Sequence, residues 1–230
     1  MKENFVHVVF VVDESGSMFP SQSDVIGGFK KVIDEQKAVK DGSCAISLFK
    51  FATNVKEVFI GKDVNEVEYL DKNNYSPDGL TAMNDGIGYA IDKVGEWLRN
   101  MKEEERPEKN LVVIMTDGCE NHSKDYTIDK VREMIKHQEE KYSWTFLYLG
   151  TDITDATAAK DYGFVNRGYS SRSNIGESYD LVNSSLCSYR CTVGDSDVKT
   201  MAFAATLTGD LSAMNTKYEN ESGVKIENND

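Results

Sequence analysis

The strongest constraint on this chain lies near its N-terminus. Phe5–Val12 reads FVHVVFVV, nearly continuous in β-branched and aromatic residues, and it stops abruptly at DESGSM. A strand without a polar face is buried on both sides, the situation of a central strand in a parallel sheet covered by helices above and below. The run is far shorter than the roughly 18–20 apolar residues a membrane span requires, and no small-residue cleavage site follows it.

The rest of the chain alternates in keeping with such a sheet. Val25, Ile26, Phe29, Val32, Ile33 and Val39 are spaced for one face of an amphipathic helix. CAISLFKF (Cys44–Phe51) reads as a second strand, and Val55–Ile60 follows after only Ala52-Thr53-Asn54. So short a connection makes a hairpin, which places one antiparallel strand at the sheet edge. Met83, Ile87, Ala90, Ile91, Val94, Trp97, Leu98 and Met101 repeat at three and four, predicting a long helix. LVVIM (Leu111–Met115) is another buried-type strand, stopping at TDG. Ile128, Val131, Met134 and Ile135 mark a third helix, and WTFLYL (Trp144–Leu149) a further strand. The fold class is therefore α/β: a doubly wound, mostly parallel sheet with right-handed crossovers and one antiparallel edge strand.

Beyond Gly150 the pattern weakens. Thr154 or Asp155 would cap a short helix reaching Asp161, and Gly163–Val165 reads as a short last strand. A helix from Ser178 would carry Leu181, Val182, Leu186 and Tyr189 on one face. The expected division is a main domain at 1–191, with its core at 5–165, and an extension at 192–230. Within the extension MAFAATLTG fits helix or strand equally, and TKYENESGVKIENND is polar enough for a mobile tail.

Charge narrows the function. With 39 Asp and Glu against 26 Lys and Arg, the net charge is −13. That balance argues against nonspecific nucleic-acid binding, which needs clustered cations, and against anchoring on anionic lipid. Cys44, Cys119, Cys187 and Cys191 form no CxxC, and His7, His122 and His137 are scattered, so no zinc site is expected. The cysteines read as free thiols of an untethered, cytoplasmic protein.

Three polar clusters sit at the ends of these elements: Asp13, Ser15 and Ser17 after the first strand, Thr81 before the long helix, and Asp117 after Leu111–Met115. In an open parallel sheet, ligands bind outside the carboxyl ends of the strands, where the crossovers diverge. The sheet thus makes one site from three distant pieces of sequence. Its donors are two carboxylates and three hydroxyls, an all-oxygen set suited to a hard dication such as Mg²⁺, with Mn²⁺ or Ca²⁺ as alternatives. Two carboxylates neutralise the ion formally, so it can still accept one further anionic ligand.

DESGSM, GLTAMND and MTDG, in this order, resemble the von Willebrand factor A (vWA) domain family. Its metal-ion-dependent adhesion site (MIDAS) uses DxSxS, a distant Thr and a distant Asp, and the matching positions are Asp13, Ser15, Ser17, Thr81 and Asp117. The DxSGSM and TDGxEN spellings are similar to the bacterial and phage branch; here the third motif reads TDGCEN. The resemblance spans Phe5 to Leu149, extending toward Val165. It implies a Rossmann-like fold and a non-enzymatic module whose metal accepts an acidic side chain of a partner protein, such as an AAA+ ATPase or an assembly component.

Two other readings stay open at this point. One is a Mg²⁺-dependent phosphatase or phosphotransferase with Asp13 as nucleophile. Against it, the haloacid-dehalogenase pattern wants a second Asp where Ser15 stands, and no GxxxxGK[ST] loop is present. The other is a structural subunit whose metal site is idle. Around the core set, Asp85 is expected to favour a helix N-terminus by its charge. Cys119, Glu120, Asn121 and His122 are either rim contacts or a solvated loop. Thr151 and Asp152 border the same face, and Tyr162, Phe164 and Tyr169 read as packing.

Overall fold

The computed structural model describes residues 1–151, 159–171 and 174–226. The apolar N-terminal run lies at the centre of its sheet as β1 (Lys2–Asp13), paired in parallel with β2 (Ser43–Phe51) on one side and β4 (Pro107–Thr116) on the other. Val6, Val8, Phe10 and Val12 enter one hydrophobic core, and Val9 and Val11 the other. This is why the run has no polar period: each face of β1 meets a layer of helices.

β3 (Val55–Asp63) returns antiparallel along β2, while β5 (Thr145–Gly150) and β6 (Asn166–Tyr169) extend the sheet in parallel beyond β4. Among the described residues the order is β3-β2-β1-β4-β5-β6. The chain moves outward from β1 to β2 and β3, then crosses back over β1 to reach β4. The topological switch point therefore lies between β1 and β4, whose last residues are Asp13 and Thr116.

α1 (Gln22–Ala38) covers one face of the sheet together with α4 (Ile175–Cys191) and α5 (Ser196–Ser222). α2 (Met83–Asn100) and α3 (Ile128–Tyr142) cover the other. α1 and α4 approach so closely that a Cβ on Gly28 would stand 2.1 Å from the Tyr179 ring. The buried Arg190 of α4 donates to the Gln36 carbonyl at 2.9 Å, closing the C-terminal end of α1.

Three expectations are corrected. The last strand is Asn166–Tyr169 rather than Gly163–Val165. Gly163 takes a left-handed turn conformation (φ +78°), which drops the Phe164 ring into the core beside Phe146 and Tyr148 before the strand begins. The helix expected from Ser178 starts at Ile175. The polar stretch from Thr216, expected to be a mobile tail, is helical as far as Ser222. α5 buries Phe203, Leu207, Leu211, Met214 and Tyr218 against α4 and the sheet. Its Asn215 side chain lies along β6: Oδ1 accepts from Tyr169 N, and Nδ2 donates to the Arg167 carbonyl, both at 3.0 Å. Thr154 and Asp155 lie outside the described residues.

Candidate metal site

Asp13 is the last residue of β1 and is fully buried. Its Oδ1 accepts the Ser15 N–H at 2.7 Å, and its Oδ2 accepts the Thr116 hydroxyl at 2.6 Å. The first bond turns the chain so that Ser15 and Ser17 face across the strand end; the second ties β1 to β4. Tyr75, wholly buried, donates its hydroxyl to the Asp13 carbonyl at 2.7 Å and fixes the strand end from behind.

Ser17 Oγ donates to Asp117 Oδ1 at 2.5 Å, and the Ser15 and Ser17 hydroxyls share a hydrogen bond of 3.1 Å. Since the single Ser17 proton points at Asp117, Ser15 is the donor in that second bond. Thr81 arrives from the segment before α2. The α2 N-cap is Ala82, which has no capping side chain, so the Thr81 hydroxyl is not used as a helix cap. A Cβ on Gly118 would stand 3.5 Å from both Ser17 Oγ and Thr81 Oγ1, so these hydroxyls flank one small space that the glycine keeps open.

Backbone bonds hold the three segments together. Gly16 N donates to Gly79 O at 3.1 Å, Asp78 N to Glu14 O at 2.9 Å, and Ala82 N to Ala52 O at 2.9 Å. Glu14 Oε1 takes the Ser76 N–H at 2.8 Å and the Lys50 ammonium at 2.6 Å, an ion pair largely withdrawn from solvent. Asn121 clips Thr81 from both sides, accepting its N–H at 2.9 Å and donating to its carbonyl at 3.0 Å. Glu120 accepts from the backbone N–H groups of Asn84, His122 and Ser123. Glu120 and Asn121 thus fasten the loop, while Asn121 itself stays exposed to solvent. Asp85 stands in the first turn of α2, as expected, and its carboxylate also receives the N–H groups of Lys124, Asp125 and Tyr126, fastening the loop before α3. Tyr162, Phe164 and Tyr169 are buried packing residues. Thr151 is buried beyond the end of β5, and Asp152 lies outside the described residues.

The sequence reading misses Thr116, Tyr75 and the Lys50–Glu14 pair. Thr116 carries a weak signal, standing directly before Asp117; Tyr75 and Lys50 carry none, because their partners are distant in the chain.

Burial pushes the Asp13 carboxyl up from 3.8 to about 6, the nearby Asp117 charge adds to this, and the Thr116 and Ser15 hydrogen bonds partly oppose it. Two buried carboxyl groups brought to one end of the sheet, joined through the Ser15 and Ser17 hydroxyls, are a site suited to a cation. The donor set fits Mg²⁺: all oxygen, two negative charges, and a Ser15–Ser17 separation of 3.1 Å, against about 3 Å for neighbouring ligands of an octahedral ion with bonds of about 2.0–2.1 Å. Among the described residues, no group of three or more His, Cys, Asp and Glu side chains could hold a metal by itself.

Comparison with known proteins agrees with the geometry. Residues 7–157 match the model of the von Willebrand factor type A domain. Among solved structures, the vWF domain of the type V pili tip protein Mfa5 from Porphyromonas gingivalis superimposes with a TM-score of 0.58 at 10% identity, over 79% of this chain and 94% of that one. A von Willebrand factor type A protein from Catenulispora acidiphila gives a TM-score of 0.52 at 12% identity, over 80% of this chain and 42% of its own. Proximal thread matrix protein 1 from the mussel byssus, in a form with a zinc-occupied MIDAS motif, gives 0.51 at 18% identity, over 86% of this chain and 46% of its own. This chain thus spans about half the length of the mussel protein. At these identities the likeness speaks for the fold; together with the family match over most of the sheet and its strand-end loops, it shows that the chain belongs to the von Willebrand factor type A domain family.

Proposed function

We propose that this chain is a non-enzymatic, divalent-cation-dependent protein-binding module of the adhesion type. Ser15, Ser17 and Thr81 supply hydroxyl oxygens, and Asp13 and Asp117 supply the charge that holds Mg²⁺ or Mn²⁺. When bound, the ion supplies a Lewis-acidic position for an acidic side chain of a partner protein. The observation that carries this reading is the convergence of three loops on one cradle, with Ser17 bonded to Asp117 at 2.5 Å across 100 residues of sequence and the Ser17 and Thr81 hydroxyls at equal distance from the Gly118 position.

Asp13 makes a poor nucleophile, since its carboxylate is buried and accepts hydrogen bonds at both oxygens; this weighs against phosphoryl transfer. The net charge of −13 weighs against nucleic-acid partners. No helix among the described residues is long and apolar enough to cross a membrane. None of the four cysteines is in a disulfide, which suits a cytoplasmic setting.

The test is a calorimetric titration of EDTA-treated protein with Mg²⁺ and with millimolar Mn²⁺. The expected result is one-site binding that is lost in Asp117→Ala. Absence of binding to either ion in the folded wild type would overturn the proposal.

A further inference from the structure

Each loop that brings a residue to the metal site also brings an exposed, uncharged side chain within two positions of it. Phe19 follows Ser17 by two and is 69% exposed; Leu80 immediately precedes Thr81 and is 47% exposed; Cys119 follows Asp117 by two and is exposed. These positions belong to one surface. Gly16, at the start of the turn carrying Phe19, is hydrogen-bonded to Gly79, next to Leu80, and the Gly118 position before Cys119 is in contact range of Ser17 and Thr81.

Exposed apolar side chains occur elsewhere on the surface, but among the described residues Phe19 and Leu80 are the two that stand within two positions of a proposed ligand. An aromatic ring left largely in water beside a carboxylate-binding position has no packing role in the domain itself. Burying it under a ligand is where it gains free energy. The charges nearby select against acidic neighbours. Asp78 is exposed beside Gly79, Glu14 is already paired with Lys50, and the whole chain is strongly negative. Once one ligand carboxylate meets the ion, a second would meet net repulsion.

We infer that the site recognises a single carboxylate flanked by large apolar residues, a partner segment of the type apolar–acidic–apolar, and rejects acidic runs. This rests on the metal-site reading above. Phe19 and Leu80 grip the flanks, and the metal grips the carboxylate.

The experiment uses the full chain with Mn²⁺ and three capped pentapeptides with glycine ends and a central Asp, flanked by Leu, Ser or Asp. Line broadening of the peptide protons by protein-bound Mn²⁺ reports binding even when it is weak. Calorimetry of Mn²⁺ alone is run first. If Mn²⁺ does not bind, the metal reading fails and this inference falls with it. If Mn²⁺ binds, the Leu-flanked peptide is expected to bind at least about tenfold more tightly than the Ser-flanked one, and the Asp-flanked peptide more weakly than both. In Phe19→Ser with Leu80→Ser, the readout is the ratio of the Leu- and Ser-flanked affinities, which should fall to about one. Equal affinities in the wild type, preference for the acidic run, or no peptide binding to Mn²⁺-loaded protein would each overturn the inference while leaving the metal site standing.

Discussion

Asp13→Asn is expected to make the metal-free protein more stable while removing its response to Mg²⁺. The folded protein holds the Asp13 proton to about pH 6, against 3.8 for the free side chain. Because the folded-state value is the higher, the protonated group contributes stability that is fully present below about 3.8 and is lost as pH rises through about 6. At pH 7.5 the buried, ionised carboxylate therefore costs about 3 kcal/mol, from a shift of about two pH units at 1.36 kcal/mol each. Asparagine removes the charge and keeps the bonding pattern. Its Oδ1 still accepts from Ser15 N, and its Nδ2 donates to Thr116 Oγ1, whose own proton then turns to the Gly118 carbonyl already 3.1 Å away. Urea unfolding in EDTA should show a higher midpoint for the variant at pH 7.5, worth up to about 3 kcal/mol, with the gain shrinking toward zero below pH 4. Addition of Mg²⁺ should raise the wild-type midpoint only. A variant less stable than wild type in EDTA at pH 7.5, or a gain independent of pH, would show that burial of the Asp13 charge does not dominate its energetics.

The opposite slope comes from His7, buried with Nδ1 donating to Asn110 and Nε2 accepting from Ser47; burial lowers its pKa to about 4. Its contribution is present above 6.5 and is lost as pH falls through about 4, so it offsets that of Asp13. Asp13→Asn should expose a loss of about 3 kcal/mol between pH 6.5 and 4 that the wild type largely hides, read from urea midpoints across pH. Gly118→Ala should set a methyl against the Ser17 and Thr81 hydroxyls and lower Mn²⁺ affinity by calorimetry, with stability in urea changed by less than about 1 kcal/mol, since a Cβ there makes only ordinary contacts. Gly28→Ala should cost about 2–3 kcal/mol in thermal or urea unfolding, because its methyl would overlap the buried Tyr179 ring.

The sheet's centre was legible because burial on both faces leaves a one-dimensional mark: β1, β2 and β4 read as apolar runs whatever their partners. α5 left none. Its buried positions from Phe203 to Tyr218 recur at three and four, but its outward side is built from Met201, Ala204, Ala205, Thr208 and Gly209 instead of charges. The contrast that marks an amphipathic helix is therefore faint. The five oxygen-bearing residues proposed as ligands stand out in the sequence because they lie in short motifs, and the structure brings these motifs to one end of the sheet. The residues that orient them do not stand out. Thr116 reaches Asp13 across 103 positions, Tyr75 across 62, and Asn121 reaches Thr81 across 40. Such bonds exist only once the sheet has formed, so nothing local in the sequence records them. Asp85 was half legible: its place in the first turn of α2 could be read locally, while the three loop N–H groups it accepts lie about 40 positions away.

The amide of Asn215 on β6 has a bearing on how the chain can be shortened. A sheet edge offers its N–H and C=O groups to any passing strand, and proteins keep such edges short, charged or covered. The β3 edge carries Lys56, Glu57, Lys62 and Asp63. The β6 edge is closed differently: one side chain on α5 occupies the donor and acceptor positions that an added strand would use. A fragment cut at 191 would keep the five proposed ligands but lose this plug together with the apolar face of α5, so it would bare a strand edge and an apolar surface side by side and tend to self-associate there.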